Sequence, residues 1–251
     1  MFDILSMALL ALGALLAGFV AGLTGFGTAM TAMSFWLYVL PPTVASPLAA
    51  ICAVTAHITS APRIYHTFDF NIAKPFLIGG FIGVPLGIAA LTMATPAAFK
   101  GGLGMFLATY AAVMLAVKNP PVIKWGGKLL DGAIGFVSGT LGGFAALSGP
   151  VPALWCMMRG WDKTRQRSVN QGFNMLILSF AITMFFLKGM ITRELLTAVA
   201  VCIPATLFGS WLGTNAFFAI DALLLRKVVL GLIFGSGSLL AITWVWGVIG
   251  G

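Results

Sequence analysis

Residues 4–62 run without a single Asp, Glu, Lys or Arg. Further uncharged stretches follow at 75–99, 101–117, 132–158, 168–187, 195–220 and 228–251. Only 8% of the chain is charged and 60% is hydrophobic, whereas a soluble domain carries about 25% charged residues to face water. There is too little polar surface to cover a globule. Most of the runs suit one helical crossing, which takes roughly 20 apolar residues for about 30 Å of hydrocarbon. The first is too long for one and is cut by Pro41-Pro42. Barrel strands would alternate apolar and polar over about 10 residues, and these runs do not. The fold class is all-α: a polytopic transmembrane helical bundle.

Other signals are absorbed by that class. Asp3 is the only early charge and the apolar stretch continues past Gly22, so the N-terminus reads as retained structure rather than a signal peptide. Cys52, Cys156 and Cys202 are scattered without a CxxC pair and read as apolar fillers, not redox or metal groups. The net charge of +8 reads as basic cytoplasmic loops rather than nucleic-acid binding. No cofactor or metal is expected. The expected partners are the lipid bilayer and a small anionic substrate; homo-oligomerisation is left open.

The chain is internally duplicated. Gly18-Phe-Val-Ala-Gly-Leu-Thr-Gly25 is similar to Gly135-Phe-Val-Ser-Gly-Thr-Leu-Gly142, and Gly83-Val-Pro-Leu-Gly87 to Gly209-Ser-Trp-Leu-Gly213, with Lys100 and Arg226 equally placed beyond. This gives a first repeat at 1–118, a connection at 119–127 and a second repeat at 128–251. Each repeat opens with a glycine cluster, Gly22–Thr28 and Gly139–Pro150. Gly and Pro cost a helix interior about 1 and 3 kcal/mol per residue, so two half-helices joined by an unwound stretch are expected in each. Close helix packing through small residues is the plainer alternative.

Loop charges favour a returning hairpin over 132–158. A simple crossing divides the basic residues evenly between the two sides. A hairpin instead puts Arg63, Lys74, Lys118, Lys124, Lys128, Arg159, Lys163, Arg165, Arg167, Arg226 and Lys227 together, leaving Lys100, Lys188 and Arg193 opposite. That is the bias orientation by basic loops predicts. By repeat the first cluster is also a hairpin, and three crossings then follow in each half. The halves are thus inverted, with both termini outward and a site near the midplane between the broken helices.

The paired motifs Gly-Phe-Val-Ala-Gly-Leu-Thr-Gly-Phe-Gly and Gly-Phe-Val-Ser-Gly-Thr-Leu-Gly-Gly-Phe, with the proline segment ending near Arg159 and the basic stretch after it, resemble the duplicated signature of the TauE/SafE sulfite exporter family. The similarity spans essentially the whole chain. It implies export, or less often import, of sulfite, organosulfonates or related small anions across a bacterial inner membrane. Phe26, Thr28, Phe144 and Ala145 stand where many members carry further glycines.

A half-helix N-terminus presents unpaired N–H groups and about half a positive charge, so two of them form an anion site without a lysine in hydrocarbon. The expected substrate-binding set is Gly25, Phe26, Gly27, Thr28 and Thr31, with Gly142, Gly143, Phe144, Ser148 and Gly149 from the second repeat. Asn170, Gln171 and Asn174 open the segment after Arg167; three amides there serve a substrate path or interhelical hydrogen bonds. His57 is the one titratable group deep in an apolar run, with a gating or proton role set against a structural one. Arg159, Arg165 and Arg167 either attract anions to the cytoplasmic mouth or only set topology. Trp36, Trp125, Trp161, Trp244 and Trp246 read as interface anchors.

No carboxylate falls inside an apolar run, which argues against a carboxylate proton relay or a carboxylate-lined cation path. Two histidines, dispersed cysteines and a Ser148 with no base partner make an enzyme untenable. The function expected is an anion transporter. The alternatives are an anion channel, which would show no saturation or counterflow, and a non-transporting scaffold or assembly factor, which would have no use for two broken hairpins.

Overall fold

The computed structural model describes residues 3–60, 67–116, 121–123, 125–216 and 222–249. Arg63, Lys118 and Lys124 lie outside the described residues, as do the side chains of Arg226 and Lys227. Among the described residues the regular structure is ten α-helices: α1 Ile4–Thr24, α2 Thr28–Trp36, α3 Pro42–Ser60, α4 Phe70–Met93, α5 Pro96–Ala116, α6 Gly127–Ala145, α7 Pro150–Met158, α8 Lys163–Leu187, α9 Arg193–Ala216 and α10 Ala222–Ile249. Of these, α1, α3, α4, α5, α8 and α9 are long and apolar enough to cross a membrane.

The few acidic residues fix where helices begin. Asp3 caps α1 by accepting from Ser6 N (3.0 Å), Asp69 caps α4 through Asn71 N (2.9 Å), and Asp162 caps α8 through Arg165 N (3.0 Å). Each satisfies an amide that the first helical turn leaves open. Carboxylates therefore sit at segment ends because helix ends need them. Asp131 also lies near a helix start, in the first turns of α6, but is buried there, 5% exposed.

Both glycine clusters form returning hairpins, as expected, but their arms are unequal. At 1.5 Å per residue, α1 and α6 are about 31 and 28 Å long, and α2 and α7 only about 13 Å. Half-helices were expected on both sides of each break; instead a full-length arm meets a short one. The glycines of α1 and α6 do not break the helix, because an interior glycine costs only about 1 kcal/mol and close packing offsets it. The turns fall where the backbone goes left-handed, at Gly25 (φ 79°), Gly27 (φ 93°) and Ala146 (φ 56°). Ala146 is the one non-glycine with positive φ among the described residues.

An indole clamps each short arm to the foot of its long arm. Trp36 Nε1 donates to Leu10 O (3.1 Å) and Trp155 Nε1 to Asp131 Oδ1 (2.7 Å). Trp36 is thus fully buried beside Gly13, not an interface anchor. Trp244 packs its ring on Gly101; Trp125 and Trp246 are exposed. The second hairpin closes where Ile123 N donates to Met158 O (2.7 Å), which brings Arg159 back to the end of the bundle from which α6 departs.

Long arms pair across the chain: α1 packs on α9, and α6 on α4. The contacts are zippers of glycine against backbone carbonyl. A Cβ on Gly18 or Gly22 would sit 2.3 or 2.4 Å from Thr206 O or Ser210 O, and one on Gly209 or Gly213 2.1 Å from Leu15 O or Phe19 O. In the other pair, Gly135, Gly139 and Gly143 face Phe76 O, Gly80 O and Val84 O at 2.1, 2.2 and 2.3 Å. Without a hydrophobic drive between helices in lipid, such close approach is what holds them. Among the further pairings are α5 with α10, α3 with α8, α3 with α9 and α8 with α4. Two of these pairings run reciprocally, α1 with α9 against α6 with α4, and α3 with α9 against α8 with α4.

Candidate functional site at the hairpin tips

The two turns meet. A Cβ on Gly149 would lie 2.9 Å from Phe26 Cβ and 2.8 Å from Asn174 Nδ2. Between them lies a small, half-open cavity walled by residues 26–30 at the start of α2 and by Ala146, Leu147, Gly149 and Pro150 at the start of α7. Ala53 and His57 of α3 close one side, and Asn174 and Leu178 of α8 the other.

The polar groups converge unequally. Thr28 is 2% exposed and its Oγ1 has no hydrogen-bond partner. Thr31, one turn on, is 8% exposed, and its hydroxyl is likewise unpartnered. Ser148, by contrast, donates its hydroxyl to Asn174 Oδ1 (2.5 Å), which leaves the Asn174 amide nitrogen beside Gly149. Gln171 Nε2 approaches Gly25, so one face of α8 reaches both turns. Asn170 is 4% exposed with its carbonyl oxygen unpartnered. His57 is 4% exposed on the cavity wall.

Backbone donors follow from the helix starts. The first amides of α2, at Thr28, Ala29 and Met30, have no intrahelical acceptor, since the ladder begins at Thr31 N to Gly27 O (3.1 Å). In α7 the ladder begins at Ala153 N to Gly149 O (3.0 Å), and Pro150 and Pro152 carry no N–H. Its open donors are Ser148, Gly149 and Val151.

Nearly the whole of this architecture falls within one family signature: the model of the sulfite exporter TauE/SafE family matches residues 10–240. The chain belongs to the sulfite exporter TauE/SafE family. As a TauE/SafE protein it is a multi-pass membrane transporter and not an enzyme. No curated protein and no solved structure matches it.

Several residues of this TauE/SafE chain stand elsewhere than its sequence led us to expect. Gly142, Gly143 and Phe144 are in the last turn of α6, not at a helix N-terminus, so their amides belong to the α6 ladder. Gly143 instead packs against Val84 O, and Phe144 O accepts from Ser46 Oγ (2.9 Å). The boundary shifted because Ala146 ends α6 in the left-handed region, with its N–H on Gly142 O and Leu147 N–H on Leu141 O. Of the arginines, Arg159 binds Asp131 Oδ2 and Trp125 O (both 3.5 Å) and lies over the Trp155 ring. Arg165 lies over Trp161 at 5.0 Å. Arg167 does not face the outside: its Nη2 donates to Gly22 O (3.2 Å) at the carbonyl end of α1.

Sequence reasoning missed the apolar part of the wall, Ala29, Met30, Ala53, Ala146, Leu147, Pro150 and Leu178, and the Ser46 contact beside it. For Ala53 and Leu178 the signal was present: Ala53 and His57, like Asn174 and Leu178, are four apart and share a helix face. Only the matching of α3 to α8 through the repeat reveals them.

Proposed function

We propose that this TauE/SafE protein carries sulfite, an organosulfonate or a related sulfur oxyanion outward across a bacterial cytoplasmic membrane. The anion is bound between the hairpin tips, near the middle of the bilayer. The observation that carries this reading is the convergence of two helix N-termini on one cavity lined by Thr28, whose buried hydroxyl has no hydrogen-bond partner. Amide and hydroxyl donors suit oxyanion acceptors, and helix amino ends favour negative charge.

The reciprocal pairings support two inverted repeats, 1–118 and 128–251, joined by 119–127. An intramembrane axis relating them passes between the tips, as in other transporters built on broken helices. With the interior negative, each exported negative charge releases about 2.3 kcal/mol per 100 mV. Transport then proceeds downhill without a coupling ion.

Flux in proteoliposomes under an imposed potential tests the reading, with sulfite, methanesulfonate, sulfate and acetate compared. Saturable, voltage-driven movement of a sulfur oxyanion, lost in Asn174→Leu, is the expected result. Folded protein that moves none of the four anions overturns it.

A further inference from the structure

The two hairpins are capped from neighbouring helices at matching places, by unlike groups. Ala53 and His57 on α3 line the cavity with the same spacing as Asn174 and Leu178 on α8. Seven residues before Ala53 stands Ser46, and seven before Asn174 stands Arg167. Ser46 Oγ donates to the carbonyl end of α6 at Phe144 O, and Arg167 Nη2 to the carbonyl end of α1 at Gly22 O. A neutral hydroxyl and a guanidinium occupy corresponding positions.

The difference matters because of how a hairpin tip is built. The long arm ends where the short arm begins, so the negative pole of α1 lies beside the positive pole of α2. Each amounts to about half a charge, and the first opposes what the second attracts. A hydroxyl dipole offsets little of that opposition. A cation offsets far more of it, and Arg167 Nη2 stands 3.2 Å from Gly22 O. The same tip carries the unpartnered Thr28 hydroxyl, whereas the hydroxyl of the second tip, Ser148, already donates to Asn174. Charge and free donor coincide on one side.

Resting on the reading that the cavity takes an anion, we propose that Arg167 is a positioning residue for that anion. It holds the carbonyl end of α1 and offsets its negative pole, making the first hairpin the tighter half of the site. The ligand it favours is a small oxyanion seated on the α2 amides and Thr28. Ser148 and Asn174 complete the shell from the weaker side.

The test compares wild type, Arg167→Gln and Arg167→Lys in proteoliposomes, with sulfite and methanesulfonate as probes and Thr28→Val as the site control. Arg167→Gln raises KM for both probes about tenfold, with the maximal rate changed far less. Arg167→Lys, which keeps the charge without the planar fork, stays within about threefold. Thr28→Val also raises KM. Wild-type KM in Arg167→Gln beside a raised KM in Thr28→Val overturns the role of Arg167 and leaves the site standing. Wild-type KM in both removes the site itself. A folded Arg167→Lys as poor as Arg167→Gln overturns the role of charge. If Arg167→Gln does not insert, Arg167→Cys carrying a cationic or a neutral thiol adduct of equal size repeats the comparison, since Cys52, Cys156 and Cys202 are buried. Equal KM for the two adducts again overturns the proposal.

Discussion

Gly149 has an ordinary backbone (φ −84°), so its lack of a side chain matters for space alone. Alanine there would push against Asn174 Nδ2 and Phe26 Cβ, at 2.8 and 2.9 Å. Gly149→Ala is expected to raise KM for the transported anion by about tenfold, from a displaced hydrogen-bond donor worth about 1.5 kcal/mol, while the protein still folds. Kinetics on purified, reconstituted protein would check this. Trp155 gives the opposite case. Trp155→Phe leaves Asp131 Oδ1 without its donor at the foot of the second hairpin, at a cost of about 1–3 kcal/mol. Thermal unfolding in detergent should fall by several degrees, with KM unchanged because the tip is not touched. The polar residues of the candidate site were legible because an amide or hydroxyl inside an apolar run is conspicuous. Arg167 was not. Its distance from Gly22 along the chain hides a contact that only the α1–α8 approach creates, and an arginine after a basic stretch looks like one more loop charge.

Among the helices, glycines divide into those that turn the chain and those that let two backbones touch. Gly139 belongs to the second kind: its Cβ would stand 2.2 Å from Gly80 O, so α4 and α6 must separate to admit it. Overpacking of that sort costs about 1–3 kcal/mol, against a gain of about 1 kcal/mol in helix propensity. Gly102 has nothing within 4 Å and should show only the gain. Gly139→Ala is therefore expected to lower the unfolding temperature and Gly102→Ala to raise it slightly, a pair measurable in one detergent series. This explains what the sequence concealed about the elements. Glycine clusters marked the hairpins correctly, but the same four-residue spacing serves both helix breaking and helix packing. Where the break falls was decided by Gly25, Gly27 and Ala146 turning left-handed. Nothing in the residue type of Ala146 announces that, since the conformation costs alanine about 1–2 kcal/mol and persists only because the α6 carbonyl end is bonded there.

For the whole molecule, orientation is the open quantity that a simple labelling experiment reads. Lys163 and Lys188 bound α8, whose 25 residues span about 37 Å. Single cysteines in place of Lys163 and Lys188 should be labelled by an impermeant maleimide from opposite faces, Lys188→Cys in intact cells and Lys163→Cys only after permeabilisation. Labelling of both from one side would refute the arrangement of basic loops. The bundle itself was legible from the uncharged runs; the exchange of long-arm partners, α1 to α9 and α6 to α4, was not, because short motif matches show which segments are alike without showing which ones touch. That exchange bears on how the protein is made. As the chain leaves the ribosome, α6 emerges to find α4 already inserted. The first helix has no such luck: its glycine face waits in lipid until α9, Arg193–Ala216, has been synthesised. Assembly thus cannot proceed half by half in order of translation, and a chain halted before Arg193 displays an unmet packing surface on its oldest helix. Membrane proteases and insertion factors that survey nascent helices would find there the mark of an unfinished molecule.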